Sequence, residues 1–211
     1  RAIEINPNYL AAYQYYAVNL AAQGEFDKVF EKTERSMEID PLLPVINANL
    51  AWLLYLSRQY EKAVQQARAT IEIEPNHFSA HWALGIALAQ MKKYDEAIEA
   101  LERAVTGGGK RPFVVADLGR VLAEAKKKRA ALLILKDLEE AAKENYISPL
   151  NYAKIHLGLG DEEKVFVYLE TGFEKRAVRL PWLLADPQFD RLRSDERFVE
   201  LTEKVRSLSQ K

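Results

Sequence analysis

Over 211 residues the chain carries 30 Lys and Arg against 31 Asp and Glu, a formal charge of −1. It therefore lacks the basic surplus that a nucleic-acid binder or a polybasic membrane-surface protein needs. Apolar residues at 48% and charged residues at 29% exclude wholesale disorder, and the absence of cysteine excludes disulfide scaffolds, thiol catalysis and Cys-ligated metals.

No apolar run approaches the roughly 18 residues of a membrane span. The opening, Arg1-Ala2-Ile3-Glu4-Ile5-Asn6-Pro7, carries no signal peptide and reads as the last turn of a helix already under way. From there the sequence repeats itself. Asn6-Pro7, Asp40-Pro41 and Glu74-Pro75 stand 34 residues apart. The same offset links a small-residue register (Ala17, Ala51, Gly85, Gly119, Ala153) and a second one (Val29, Ala63, Ala97, Ala131, Val165). Large apolar residues Tyr16, Leu50, Leu84, Leu118 and Tyr152 form a third, and Leu20, Leu54, Leu88 and Leu122 a fourth, which His156 breaks. Every copy divides at a short polar turn: Gly24-Glu25, Arg58-Gln59, Lys92-Lys93, Lys126-Lys127 and Gly160-Asp161. This pattern predicts helical hairpins. Small residues let the two backbones approach, larger ones three and four apart fill the remaining space, and proline ends the second helix.

The period and the segment Leu84-Gly85…Leu88…Tyr94-Asp95-Glu96-Ala97-Ile98…Leu101…Ala104 resemble the tetratricopeptide repeat (TPR) family. The resemblance implies an all-α fold, a right-handed superhelix of helical hairpins with a C-terminal capping helix. Residues 1–9 are expected to end a preceding repeat, with repeats at 10–43, 44–77, 78–111 and 112–145, a degenerate fifth at 146–179, and capping helices over 180–211. In the tail, Asp186-Pro187 reads as an N-cap followed by proline at the first helical position. Ser194 is expected to cap a last amphipathic helix carrying Phe198, Val199, Leu201, Val205 and Leu208, which covers the open end of the stack.

A second likeness runs from Leu157-Gly158-Leu159-Gly160-Asp161 through Trp182-Leu183 to Asp186-Pro187-Gln188-Phe189-Asp190-Arg191-Leu192-Arg193-Ser194-Asp195-Glu196-Arg197-Phe198. It is similar to the C-terminal TPR regions of bacterial multidomain signalling proteins, where a winged helix, a nucleotidyl cyclase or a Ser/Thr kinase precedes the repeats. That resemblance implies an output domain upstream in the same chain.

Other constellations point to structure. Gly107-Gly108-Gly109-Lys110 lacks the Ser/Thr and the preceding strand of a phosphate loop, so it reads as a flexible linker. His77 and His81 lie four apart without a third metal ligand and read as surface residues, while His156 reads as a partly buried structural histidine. Lys126-Lys127-Lys128-Arg129 reads as a solvated turn.

The resemblance also implies a concave face built by the first helix of each pair. Its expected partner-binding groove contains Gln14, Val18, Val45, Trp52, Tyr55, Trp82, Ile86, Phe113 and Arg120. No Lys/Asn/Arg lattice of the kind that clamps a carboxylate appears there, so the expected partner is a protein or peptide with an apolar or amphipathic segment. Packing of Trp52, Tyr55, Trp82 and Phe113 between repeats is the equal alternative. The functional expectation is a non-catalytic interaction scaffold in the cytoplasm, or alternatively the periplasm, without cofactor or metal. It would be the sensory part of a larger signalling protein. A stand-alone adaptor in chaperoning or envelope assembly is the first alternative, and a metal-dependent enzyme using His77, His81 and nearby carboxylates the second.

Overall fold

The computed structural model describes residues 5, 6 and 9–209. Most of the turn expected at Arg1–Pro7 lies outside them, as does the side chain of Leu208. The described residues form helices and connecting turns, without strands. Five consecutive pairs come first: α1 (Leu10–Gln23) with α2 (Phe26–Ile39), α3 (Pro44–Leu56) with α4 (Tyr60–Ile73), α5 (Phe78–Gln90) with α6 (Tyr94–Gly107), α7 (Pro112–Glu124) with α8 (Lys128–Ala141), and α9 (Pro149–Leu159) with α10 (Glu162–Glu174). Two 3-10 turns, Leu180–Leu184 and Pro187–Leu192, lead into α11 (Glu196–Ser209).

Both small-residue registers run through the contact between paired helices. Ala51, Ala63, Ala97, Ala131 and Ala153 are fully buried, with Ala17 at 1% exposure. The fit is close. A Cβ on Gly85 would lie 2.5 Å from Cγ of Leu101, and one on Gly158 would lie 2.4 Å from the backbone oxygen of Arg120. Proline occupies the first turn of α3, α7 and α9, where its missing N–H costs nothing. Asp40 and Glu74 end α2 and α4 in extended conformation, as a residue before proline must.

The turn inside each pair is the same structure five times. Gly24, Arg58, Lys92, Lys126 and Gly160 all adopt positive φ, between 60° and 80°. In each, the next N–H reaches back five residues: Glu25 to Leu20, Gln59 to Leu54, Lys93 to Leu88, Lys127 to Leu122 and Asp161 to His156. This hydrogen bond satisfies a carbonyl that the helix end would leave unpaired. A side chain in the left-handed region is strained by about 1 kcal/mol, and glycine removes that strain. Lys92 is exposed and its side chain makes no hydrogen bond or ion pair among the described residues. Lys92→Gly is therefore expected to raise stability by about 1 kcal/mol, seen as a higher thermal midpoint. An unchanged or lower midpoint would show that the turn carries no strain.

Two local expectations are corrected. Ser194 does not cap α11; Asp195 does, its Oδ1 accepting from the Arg197 N–H at 2.9 Å. A carboxylate at this end also meets the positive pole of the helix. His81 is a buried residue, 7% exposed, whose Nε2 lies 2.8 Å from the Pro75 carbonyl and ties the linker to α5. His77 caps α5, its Nδ1 accepting from the Ala80 N–H. His156 is buried, stacks on Tyr168 with ring centroids 5.5 Å apart, and has Nδ1 3.3 Å from Asp161. Gly109 takes a left-handed φ of 68° as the Lys110 N–H closes α6 on Val105, so the triple glycine serves a defined helix end.

The tail does more than cover the last hairpin. Phe198, Leu201 and Val205 of α11 do pack on Val165, Phe166 and Leu169 of α10. The segment before it, however, turns back across the first helices of earlier pairs. Its first 3-10 turn packs against α1, and its second is tied to α3 and the following turn.

Candidate functional site: an aromatic cleft closed by the tail

First helices here are apolar on nearly every side, because each is sandwiched between its own partner and the next pair. One row of their side chains is left for the concave face. Trp52, Trp82 and Phe113 stand in that row as a ladder, with ring centroids 6.1 Å apart for the two tryptophans and 5.2 Å for Trp82 and Phe113. The tail adds Trp182, which meets Trp52 edge-on at 5.2 Å. Arg179 lays its guanidinium over Phe113 at 4.0 Å and over Trp182 at 5.0 Å. Between ladder and tail a cavity of about 260 Å³ remains, walled further by Asn151, Lys154, Leu183 and Phe189. Tyr146 and Val178, 68% and 89% exposed, stand at its rim.

The floor of the cleft is a buried polar chain. Trp82 Nε1 donates to Asp117 at 2.8 Å, and Lys154 Nζ donates to both oxygens of the same carboxylate at 2.9 and 3.0 Å. Asp117 is 1% exposed and Lys154 7%. Next to them Arg120, 1% exposed, donates to Glu124 at 2.8 Å. Burial works against its charge, but Glu124, Tyr55 and Asp117 outweigh it and hold the guanidinium above its ordinary value. Arg120 and Lys154 are thus internal, paired charges and present no basic surface.

The tail is fastened by three anchors. Tyr55 donates to Asp186 at 2.6 Å, and burial, reinforced by that carboxylate, keeps its phenol well above the usual range. Arg58 grips Asp190 with two hydrogen bonds at 2.7 and 2.9 Å, joined by Arg193 at 2.5 Å. Burial alone would raise the Asp190 carboxyl, yet the two guanidiniums hold it below the ordinary range. Arg191 donates to the Leu157 carbonyl of α9. Arg179, by contrast, is pulled below its ordinary value by burial, with Asp117 and Asp186 opposing the shift.

Of the nine residues expected in the groove, three line this cleft: Trp52, Trp82 and Phe113. Tyr55 and Ile86 are buried beneath it, at 1% and 2% exposure. Gln14 and Val18 lie at the seam of α1 and α3, where Asn49 donates to Gln14 at 3.3 Å, and Val45 is exposed at the start of α3. Sequence reasoning missed the tail's contribution, Arg179, Trp182 and Asp186. The signal was a third tryptophan set in Leu180-Pro181-Trp182-Leu183-Leu184, outside the repeat.

Among the described residues no helix is long and apolar enough to cross a membrane, and no three His, Asp or Glu gather as a metal site. A family profile for the tetratricopeptide repeat matches residues 49–112. The co-chaperone sgt12 of Aspergillus fumigatus, described as a heat-shock protein cognate co-chaperone, is 30% identical over 88 residues, 42% of this chain and 26% of that protein. Small glutamine-rich tetratricopeptide repeat-containing protein 2 of Mycosarcoma maydis is 28% identical over 81 residues, 38% of this chain and 23% of its own length. The chain thus spans about a quarter of the curated relatives it matches. Similar solved structures include PilW, a type IV pilus biogenesis factor, with a TM-score of 0.63 and 17% identity over 95% of this chain and 86% of that one. PilF of Pseudomonas aeruginosa has a TM-score of 0.56 and 18% identity over 98% and 85%. At such identities the likeness shows the fold alone. The family match shows tetratricopeptide repeats over residues 49–112, and the 34-residue period and the repeated hairpin turn carry the same pattern through all five helix pairs.

Proposed function

We propose that the chain is a non-catalytic scaffold that docks an apolar or amphipathic segment of a protein partner in the cleft between the aromatic ladder and the tail. Helix pairs 10–43, 44–77, 78–111, 112–145 and 146–179 serve as its repeats, and 180–211 both caps the stack and builds one wall of the site. The observation that carries this reading is the cleft itself. Concave, largely apolar walls with a few polar groups and an exposed apolar rim are what a binding site requires. Relatives described as a co-chaperone and as a small glutamine-rich repeat protein favour an adaptor role. Service as the regulatory part of a larger signalling chain rests on the tail resemblance alone. The enzyme alternative has little support, since His81 spends its Nε2 on the linker and His77 caps a helix.

The test is site-specific photo-crosslinking in cells. A benzophenone side chain replacing Phe113 or Tyr146 is expected to capture one and the same protein, while the exposed positions Leu133 and Val167 capture none. Phe113→Ala should then weaken binding by about thirtyfold, as loss of an aromatic anchor does, with moderate salt mattering little. Equal capture from Leu133 would place the interface elsewhere.

A further inference from the structure

We propose that the cleft receives a carboxylate carried on an aromatic or branched apolar body, with Arg179 as the group that holds the carboxylate. This deepens the docking reading and rests on it. Of the two cations that line the cleft, Lys154 is paired with Asp117, and Arg179 is left without an acceptor among the described residues. Among the described residues the Arg179 guanidinium makes no hydrogen bond or ion pair; its contacts are the faces of Phe113, Trp182 and Trp82.

The two carboxylates that act on its charge are already committed. Asp117 serves Lys154 and Trp82, and Asp186 serves Tyr55 and Gln188. A guanidinium stacked on a ring spends its face and keeps its edge, a fork of N–H donors that matches a carboxylate. The wall carries a second unspent group: Ser148 Oγ is buried and lacks a hydrogen-bond partner. The aromatic walls supply the remainder of the fit. Ladder, tail and rim enclose about 260 Å³, room for a ring or a branched aliphatic side chain. The carboxylate is that of an acidic residue on the docked segment; a free organic acid, which offers the same group to Arg179, is an outcome of the test. The chemistry at Arg179 is the same for both.

All three tryptophans of the chain line this cavity, so intrinsic fluorescence reports its occupancy without a label. Phenylbutyrate, its neutral amide, and the peptides acetyl-Leu-Glu-Leu-amide and acetyl-Leu-Gln-Leu-amide are titrated into the full chain. The acid is expected to change the emission saturably and to bind about tenfold more tightly than the amide, as a charge-assisted contact does. Arg179→Gln should bring the acid to the level of the amide, with helicity by circular dichroism unchanged. The acid-to-amide ratio on the unaltered protein needs no variant, so a poorly folding Arg179→Gln does not blunt the test. Glu-dependent binding by the peptide supports a protein segment as the source of the carboxylate; binding by phenylbutyrate alone overturns that source in favour of a free acid. Equal binding of acid and amide overturns the role of Arg179 and leaves the apolar docking reading standing. No saturable change with either acid or Glu peptide overturns the proposal, while docking itself is judged by the crosslinking from Phe113.

Discussion

Replacing Lys154 by Met is expected to lower stability by about 3–4 kcal/mol, because it strands a carboxylate that water cannot reach. Asp117 is 1% exposed, and after the change only Trp82 Nε1 among the described residues would still donate to it. Taking a charge out of water costs several kcal/mol, and Lys154 offsets that cost through two hydrogen bonds at 2.9 and 3.0 Å. The pair as a whole is another matter. Removing both charges in Asp117→Asn with Lys154→Met keeps an acceptor for Trp82 and leaves neither member of this pair as a stranded ion. The double variant should therefore recover about 2 kcal/mol of the loss. Urea denaturation of the two single variants and the double variant measures this coupling. A single-variant loss below about 1 kcal/mol would mean that the floor is wet. The cleft would then be a poor place to strengthen a contact with a ligand's charge.

Ending the chain before Ser194 should cost a few kcal/mol and cause self-association. Phe198, Leu201 and Val205 are 2%, 3% and 1% exposed. Each contributes roughly 1.5–3 kcal/mol of burial, against which the ordering entropy of α11 must be set. Their removal also uncovers Val165, Phe166 and Leu169 on α10 and frees the Phe166 ring from Arg197, now 3.9 Å above it. An open stacking face of this kind is a template for another copy. Thermal melts and light scattering across a concentration series check both effects. A shortened chain that melts unchanged and stays monomeric would make α11 an appendage.

The residues that sequence alone placed are those whose neighbours lie within one repeat of them. Ala63 must fit against α3 and Leu54 must close a turn five residues later, so packing between adjacent helices imprints a 34-residue register on the chain. Even the turn positions were legible, although positive φ at Arg58, Lys92 and Lys126 was not, because lysine and arginine give no sign of a left-handed backbone. The site was legible only as the ladder Trp52, Trp82 and Phe113. What closes it depends on contacts that no periodicity records. Tyr55 meets Asp186 across 131 residues of sequence and Arg58 meets Asp190 across 132. In the same way, a lysine at position 154 and an arginine at 120 read as surface charge until Asp117 and Glu124 are seen beside them. A repeat pattern reports the environment common to all copies. The tail and the buried ion pairs occur once, and their geometry is set by which groups the folded stack leaves unsatisfied. The tertiary structure alone therefore decided that the concave face is walled by the chain's own Trp182 and Arg179.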